Sequence, residues 1–450
     1  MNYNTLLLLC FFLILLELRQ LLQQKWLKKL FSTKPSSSKT RKAQVMRPKT
    51  PKDCPQCCES LDAGPVPSAP IPKTPISWSE IKSKRGRKKT ICTQNYFCSN
   101  QKCDYYLVTD QKVHALVGDG NHGKYELIQD FLCQACQTKF TCRKHTVLYR
   151  IKTHPKIVCL SLKLLARGME INGLADALEV REVTLRTWLT RSGDHGRKLH
   201  DHFIIGLELV HLQLDELWAG VKDAGQDIWV WTVCDAKTKL IPVIQLGPRT
   251  QTMAYAVVHE LIARLKKGCV PVFSSDGLKN YYYALTAHYG EWVQVEGQNK
   301  PIWMVLPAFL YAQVIKYRHR LRIINIEQRM IWGLLDDYRS RLRAGGLSGN
   351  INTAYVERAN LTIRQSVSKL ARRTLATAHY TAELSEHIYW WLVVYHFERE
   401  HESLRTKRAQ PKEGKGGQRA TLYQNATPAM AAGITQQRWS VREIISYPLL

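Results

Sequence analysis

Acidic residues are scarce in this chain of 450 residues. Aspartate and glutamate together number 37, against 65 lysines and arginines, and the formal net charge is +28. An excess of positive charge this large favours a polyanionic partner, and nucleic acid ahead of a membrane surface. Ribosomal and membrane-surface proteins share such a balance, so the charge narrows the class of partner without naming one.

Long hydrophobic runs are also lacking. The apolar run at residues 6–16 has 11 residues, whereas a membrane-spanning helix needs about 20. No positively charged start precedes this run and no small-residue cleavage site follows it, so we do not predict a secretory signal. Three interpretations of the leucine-rich residues 1–31 stay open: a buried or dimerising helix, a membrane-associated helix, or a start codon assigned too far upstream.

Several common enzyme signatures are missing as well. The sequence has no Walker A loop, no dinucleotide-binding glycine fingerprint and no Gly-x-Ser-x-Gly elbow. The pair His259-Glu260 lacks the second histidine of a zinc protease motif. These absences argue against the common nucleotide-dependent and hydrolytic enzymes, and they leave the acidic residues and the cysteines as the chemically informative groups.

Composition divides the chain into segments. Residues 32–53 are polar, basic and proline-bearing, which is typical of a flexible linker, and residues 61–76 have the composition of a second, proline-rich linker. Residues 157–191 have helical apolar spacing, whereas residues 204–246 contain three apolar runs of strand length. A helix at 252–265, a strand at 270–274 and a helix at 354–373 are expected to follow. We predict a leucine-rich helical segment at 1–31, a linker with a CxxC motif at 32–90, a cysteine-rich domain at 91–154, a helical domain at 155–200, an α/β domain at 204–400 and a tail at 401–450.

Three acidic residues form the most informative constellation. Asp215 follows an apolar strand-like run, Asp276 follows the run VPVFSS, and Glu357 lies in the helical stretch AYVERANLTIRQSVSKL. Strand ends and a facing helix can bring three carboxylates to one point. Mg²⁺ prefers such oxygen ligands, and two ions about 4 Å apart support phosphodiester chemistry. Without metal, clustered carboxylates raise one another's pKa.

Other acidic residues compete for these places. Glu216 and Asp235 are alternatives in the first block. The alternation of the strand places Glu216 with the apolar side chains and Asp215 on the opposite face, so we prefer Asp215. Asp336 and Asp337 are alternatives for the second acid, but they are expected in the middle of a helix with no strand before them.

Cysteines cluster in one part of the chain. Nine of the 13 lie between residues 54 and 142, which indicates metal binding in a reducing compartment rather than a disulfide framework. Two pairs separated by about 30 residues have the spacing of a four-thiolate zinc site, a zinc ribbon. Its predicted ligands are Cys98, Cys103, Cys133 and Cys136.

Alternatives to this zinc site stay open. The four thiols could be free buried cysteines, and His114 or His122 in the intervening loop could substitute as ligands. A third CxxC at residues 54–57 has no obvious partner pair. Cys92 and Cys142 are candidates, so a second zinc site is an open hypothesis.

Three segments resemble the catalytic blocks of DDE-type insertion-sequence transposases: LDELWAGV, SSDGLKNYYYAL and NTAYVERANLTIRQSVSKLARRT. The third block is the most specific, because Asn352, Glu357-Arg358, Asn360 and Arg364 all match the family pattern. The spacing also fits, with 60 residues between Asp215 and Asp276 and 80 between Asp276 and Glu357. The resemblance runs from about residue 54 to the tail. It implies a multidomain fold with an N-terminal zinc ribbon, a helix-turn-helix and an RNase H-like α/β catalytic domain.

DNA contacts are expected at three places. Residues 157–191 resemble a helix-turn-helix with a recognition helix at 182–191, whose alternative is an ordinary helical hairpin. The run KSKRGRKK at 82–89 resembles a minor-groove arm, and a solvated basic linker is the alternative. Arg364 lies two helical turns after Glu357 and so on the same face, where the family has a DNA-contacting basic residue. The predicted DNA-binding residues are Arg85, Arg87, Arg186, Arg191, Arg358, Arg364, Arg372 and Arg373.

The resemblance also implies a mechanism. Mg²⁺ or Mn²⁺ held by Asp215, Asp276 and Glu357 would promote hydrolysis at each end of a mobile element, and the freed 3′-OH would attack target DNA. Structural Zn²⁺, double-stranded DNA and a homodimer or higher oligomer are the expected partners, in the cytoplasm at the nucleoid and without a membrane. The alternatives are a DNA-binding regulator with an inactive nuclease fold, a metal-dependent nuclease without strand transfer, and a structural RNA-binding protein.

Overall fold

The computed structural model describes residues 75–81, 91–296, 300–320, 322–372, 377–412 and 421–449. The predicted leucine-rich segment 1–31, most of the predicted linker, the CxxC at 54–57, Arg85, Arg87 and Arg373 lie outside these residues. No helix in the described ranges is long and apolar enough to cross a membrane.

The cysteine-rich region forms a small antiparallel sheet. A short helix, α1 (Trp78–Ile81), precedes the strands β1 (Leu116–His122), β2 (Ile128–Cys133) and β3 (Lys139–Thr141), which lie in the order β1-β2-β3. The α1 helix falls inside the predicted linker. Its Trp78 ring packs edge-on against Tyr105, and the Tyr105 hydroxyl donates to the Ile76 carbonyl. The linker prediction is therefore wrong at residues 75–81, because Trp78 is anchored to the folded sheet.

Three helices follow: α2 (Pro155–Leu165), α3 (Ile171–Leu178) and α4 (Glu182–Phe203). Pro155 lies in the first helical turn, where the missing N–H of proline costs nothing. The α4 helix continues 12 residues beyond the predicted recognition helix, past the predicted boundary at residue 200. Its extension packs along α9 (Thr381–Phe397), where a Cβ at Gly193 would lie 2.4 Å from the Glu386 carbonyl oxygen. Glycine is required there for the close approach of the two helices.

The largest sheet consists of β4 (His211–Ala219), β5 (Ile228–Asp235), β6 (Val243–Gly247), β7 (Val272–Ser275), β10 (Leu310–His319) and β11 (Arg322–Trp332). Its six strands lie in the order β11-β10-β7-β4-β5-β6. The predicted strands of residues 204–246 and 270–274 are confirmed. Strand β4 pairs antiparallel with β5 and parallel with β7, and β7 pairs parallel with β10.

Helices cover both faces of this sheet. Leu212 and Leu214 of β4 pack in one core cluster with α5 (Gln251–Arg264) and α6 (Lys279–His288). Leu217 and Ala219 pack in a second cluster with α8 (Ala354–Ser366) and with α9. The buried residues of α9 occur all round the helix, as expected for a helix enclosed by protein. The described fold is thus a mixed α/β structure with more than one sheet.

The remaining elements lie at the periphery of the sheet or close the fold. The small hairpin β8 (Gly290–Val293) and β9 (Ile302–Val305) precedes β10, and α7 (Leu335–Ala344) follows β11. The tail forms the hairpin β12 (His401–Lys412) and β13 (Thr421–Ala426), then α10 (Pro428–Ala431) and α11 (Val441–Ser446). The buried His195 of α4 donates a hydrogen bond from Nε2 to the Ile444 carbonyl at 2.9 Å, so the tail packs against the helical region.

Candidate active site

Asp215 and Asp276 meet because of the register of two parallel strands. Leu214 of β4 lies opposite Ser275 of β7. Asp215 and Asp276 directly follow these two residues and therefore lie side by side. The Asp276 carboxylate accepts the Leu278 backbone N–H at 3.0 Å, which fixes its orientation just beyond the end of β7. Two acids with 60 residues between them in the sequence thus become neighbours.

A buried glutamine holds the helix of Glu357 against the same strand. The Gln213 Oε1 atom accepts the N–H groups of Tyr355 and Val356 at 2.9 and 3.1 Å, and its Nε2 donates to the Asn352 carbonyl at 2.8 Å. The first turn of α8 has N–H groups without helical partners, and Gln213 satisfies two of them. Glu357 lies in this turn. The sequence reasoning did not identify the role of Gln213.

Side chains of α8 and β10 orient the acids. Asn360 donates its Nδ2 to Asp215 Oδ2 at 2.9 Å, and the Glu216 backbone N–H donates to Asp215 Oδ1 at 2.9 Å. Glu357 Oε1 accepts from Lys316 Nζ and from the Thr353 hydroxyl, each at 2.5 Å. Asn360 was matched to the family pattern, and the structure gives it a contact: it fixes one oxygen of Asp215.

Glu216 is a fourth acid of the centre. Ligand atoms of Asp215, Glu216 and Asp276 all lie within 4.8 Å of one another, an arrangement that could hold a metal ion, whereas Glu357 lies outside this close group. The Glu216 side chain is 1% exposed and pairs with Arg249 at 2.9 Å. The Arg249 guanidinium also lies 3.8 Å from Asp276 and stacks over the Trp229 ring. Glu216 faces away from Asp215, as the alternation predicted, yet its carboxylate still reaches Asp276.

The carboxylates raise one another's pKa. Burial, with the Asp276 charge second, raises the pKa of Asp215 to about 6. The same two causes raise the pKa of Glu216 to about 7. Burial also raises the pKa of Asp276, with Glu357 adding to the rise and Arg249 opposing it. Carboxylates that repel in this way are suited to a cation, and hard divalent ions prefer these oxygen ligands.

All four acids open into one cavity of about 850 Å³. Arg364 and Arg372, two of the predicted DNA-binding residues, line it, and so Arg364 lies on the same side of α8 as Glu357. The other cationic side chains in the wall come from the α5 N-terminal loop, α6 and β10. They are Arg249, Lys279, Lys316 and Arg318.

The competing acids lie elsewhere. Asp235 is fully buried and accepts from the Thr238 N–H and hydroxyl at 2.7 and 2.8 Å, so it stabilises the turn after β5. Asp336 and Asp337 are exposed in the first turn of α7, and β11 precedes that helix. The expectation of a mid-helix position without a preceding strand was therefore wrong, although neither acid belongs to the 4.8 Å group.

The remaining predicted DNA-binding residues have varied surroundings. Arg358 is exposed on α8. Arg186 pairs with Glu182 and with Glu383 of α9, the latter at 2.6 Å. Arg191 donates to the Tyr149 carbonyl at 2.7 Å and is half-buried. Leu185 and Trp188 of the same helix, α4, are buried. Contacts of these arginines with DNA stay predictions, and the partners of Arg186 and Arg191 show that each also stabilises the fold.

The four predicted zinc ligands converge. Cys98 Sγ lies 3.5 Å from Cys136 Sγ, and Cys103 Sγ lies 3.8 Å from Cys133 Sγ. All four sulfur atoms lie within 4.8 Å of one another, so the cluster could hold a metal such as zinc. Four sulfurs about 2.3 Å from a tetrahedral zinc ion would be roughly 3.8 Å apart. The observed separations match that geometry.

The thiols of the cluster differ in pKa, and neither alternative histidine ligand lies among them. Burial raises the pKa of Cys103 to about 11; burial opposes ionisation of Cys136 too, but hydrogen bonds from Thr138 outweigh it and lower that pKa to about 6. His114 is buried. Its Nδ1 accepts the Leu116 N–H, and its Nε2 donates to the Thr93 carbonyl. Neither His114 nor His122 belongs to the sulfur cluster, so substitution by histidine is wrong for this site.

No protein-family model matches this chain, and neither does any curated protein. The geometry of the acidic centre and of the sulfur cluster is therefore the basis for any statement about function.

Proposed function

We propose that the protein is a DDE-type DNA transposase, with Asp215, Asp276 and Glu357 as its catalytic acids. The observation that carries the proposal is the convergence of these carboxylates in one cavity whose wall also contains arginines and lysines. Metal-dependent phosphodiester chemistry has two requirements: carboxylates that hold divalent ions, and cationic side chains that bind phosphate.

The order of the sheet supports an RNase H-like catalytic domain. Three antiparallel strands, β4 to β6, are followed by α5 and then by β7, which pairs parallel with β4. The sequence patterns predict the same succession of three strands, a helix and a fourth strand. A shared order of elements is weaker support than the site, because one fold can carry many functions.

The residues have distinct roles in the proposed reaction. Divalent ions at the acidic centre would supply activation of the attacking hydroxyl and stabilisation of the leaving oxygen. Asn360 and Leu278 orient the two aspartates, and Arg249 compensates the charge of Glu216. Arg364 and Arg372 would bind phosphates of the strand in the cavity. No nucleophilic serine or tyrosine is needed, since water and then a DNA 3′-OH attack the phosphorus.

The parts N-terminal to the sheet would bind the ends of the mobile element. We propose that zinc at the four cysteines stabilises a zinc ribbon at residues 91–154, and that α2 to α4 form a helix-turn-helix. Four thiols at tetrahedral spacing support the first proposal. Leu185 and Trp188, packed inward on α4, leave Thr187 and Arg181 exposed, which supports the second. Cutting two ends calls for at least a dimer.

Strand cleavage and joining test the proposal. Purified protein is incubated with Mg²⁺ and duplex DNA taken from the sequence flanking this reading frame, beside Asp276→Ala and the control Asp336→Ala, an exposed acid outside the cluster. Nicking and joining that are lost only in Asp276→Ala support the transposase. Nicking without joining would instead assign a nuclease, and binding without cleavage, equal in all three proteins, would assign a DNA-binding regulator.

A further inference from the structure

The strands β10 and β11 extend beyond the sheet as a two-stranded ribbon. Residues 310–314 of β10 are buried in the sheet, whereas residues 317–319 and the paired residues 322–326 are exposed. At about 3.3 Å per residue, the exposed part projects by on the order of 15 Å.

One face of the ribbon combines cations with branched apolar side chains. Lys316 lies opposite Ile326, and Arg318 lies opposite Ile323 after a bulge in β11. Cross-strand partners point to the same side, and residues two apart on a strand do too. These four side chains therefore share a face, with Ile323 and Ile326 46% and 51% exposed.

This mixed face continues directly from the acidic centre. Lys316 contacts Glu357, and both Lys316 and Arg318 line the cavity that contains Asp215 and Asp276. A duplex with a phosphodiester at the acids must run alongside the ribbon, because the ribbon rises from the wall of that cavity. Tyr317 lies on the opposite face, where its hydroxyl donates to Glu327 at 2.7 Å.

Charge identifies the partner as DNA rather than a second ribbon. Residues 315–329 include five lysines and arginines and one acid, Glu327. Two such ribbons would repel each other, whereas a polyanion would bind. A two-stranded ribbon also fits the major groove, which is about 12 Å wide and about 8.5 Å deep. Exposed isoleucines can contact sugars, base edges and thymine methyl groups there.

We propose that the face formed by Lys316, Arg318, Ile323 and Ile326 binds in the groove of duplex DNA next to the phosphodiester at the acidic centre. Arg318 binds a phosphate, and the two isoleucines contact base edges. This inference rests on the proposed function, because it takes the substrate of the centre to be duplex DNA. It adds a DNA-positioning element that neither the zinc ribbon nor the helix-turn-helix provides.

Cross-linking locates the contact. The photoreactive residue p-benzoylphenylalanine replaces Ile326, or Ile302 of β9 as a matched control that is 38% exposed on a different hairpin. Both proteins carry Asp276→Asn so that the DNA is not cut. With duplex DNA from the flanking sequence, residue 326 is expected to cross-link next to the cleavage position mapped with the wild-type protein, and residue 302 is not.

Salt dependence separates phosphate contacts from apolar ones. Arg318→Ala is expected to reduce the slope of log K against log salt by about 0.9, the value for one lost phosphate contact. Arg329→Ala is the matched control, because Arg329 lies on the opposite face and donates to Gln313 at 3.0 Å. Ile323→Ser with Ile326→Ser should weaken binding at every salt concentration without changing the slope.

The outcomes distinguish this inference from the proposed function. Equal cross-linking at 326 and 302, or equal slopes for Arg318→Ala and Arg329→Ala, overturns the ribbon contact even if the wild-type protein cleaves DNA. Cross-linking at 326 alone, together with no cleavage by wild-type protein in Mg²⁺, supports binding of duplex DNA by the ribbon and overturns the transposase.

Discussion

Replacing Asp276 by asparagine should make the metal-free protein more stable while abolishing the proposed DNA cleavage. The substitution keeps the shape of the side chain, and an amide oxygen can still accept the Leu278 N–H that holds it. It removes one negative charge from the group formed by Asp215, Glu216 and Asp276. The acids repel one another when no cation is bound, so the loss of one charge should relieve the other two.

The size of the effect follows from the raised pKa values. Burial and the Asp276 charge raise the pKa of Asp215 to about 6 and that of Glu216 to about 7. These pKa values are higher in the folded state than in the unfolded state. The contribution of the two groups to stability is therefore fully present below about pH 4 and is lost as the pH rises through 6 to 7. Each shift corresponds to on the order of 3 kcal/mol. Burial is the larger cause in both, so we expect Asp276→Asn to recover about 1 kcal/mol at pH 7.5.

Urea unfolding in EDTA and in Mg²⁺ measures this effect. In EDTA at pH 7.5 the variant should unfold at a higher urea concentration than the wild-type protein, and the difference should vanish near pH 4. Mg²⁺ at 100 times its dissociation constant should stabilise the wild-type protein by about 2.7 kcal/mol and the variant much less. The control Asp336→Asn, at an exposed helix N-terminus, should be neutral or slightly less stable. A variant less stable than wild type in EDTA at pH 7.5 would refute the repulsion argument.

Two further predictions concern the sulfur cluster and the helix contact. Cys133→Ser should lower the bound zinc by about one ion per chain, measured by atomic emission after exhaustive dialysis, because a structural zinc site generally has four ligands; unchanged zinc content would refute the site. Gly193→Ala should destabilise the protein by about 1–3 kcal/mol, because the added methyl group meets the Glu386 carbonyl. Gly173→Ala, where nothing lies within 4 Å of the new Cβ, should be neutral or stabilising by up to about 1 kcal/mol in the same urea assay.

Local patterns were sufficient for part of the fold. The strands β4, β5 and β7 have apolar runs that continue through the core, and α5 has an apolar stripe, so each element could be predicted from its own residues. The turn after β5 was predictable because Asp235 accepts the Thr238 N–H, a local contact typical of aspartate in turns. The four cysteines were predictable for the same reason, since each of two short motifs supplies one pair of thiols.

Elements whose character depends on distant residues were missed. Residues 322–326 of β11 are exposed on both faces, so the sequence has no alternation that would indicate a strand there. The α4 helix continues through Gly193 and Gly196, residues that usually weaken helices. These glycines are needed because the backbone of α9, nearly 200 residues away in sequence, lies too close to them for a side chain. Neither feature can be read from a local window.

The acidic centre illustrates the same limit in its chemistry. The alternation of β4 correctly separates Asp215 from Glu216 on opposite faces, and from this we concluded that one acid of the two belongs to the site. That conclusion is incomplete because β7 ends at Ser275, so Asp276 lies beyond the strand and its carboxylate can be approached from both faces. Asp215 reaches it from the side of Asn360 and Glu357, and Glu216 reaches it from the side of Arg249. Because Asp276 lies at a strand end, both Asp215 and Glu216 belong to the centre, which thus contains four acids. Arg249 balances the additional charge of Glu216.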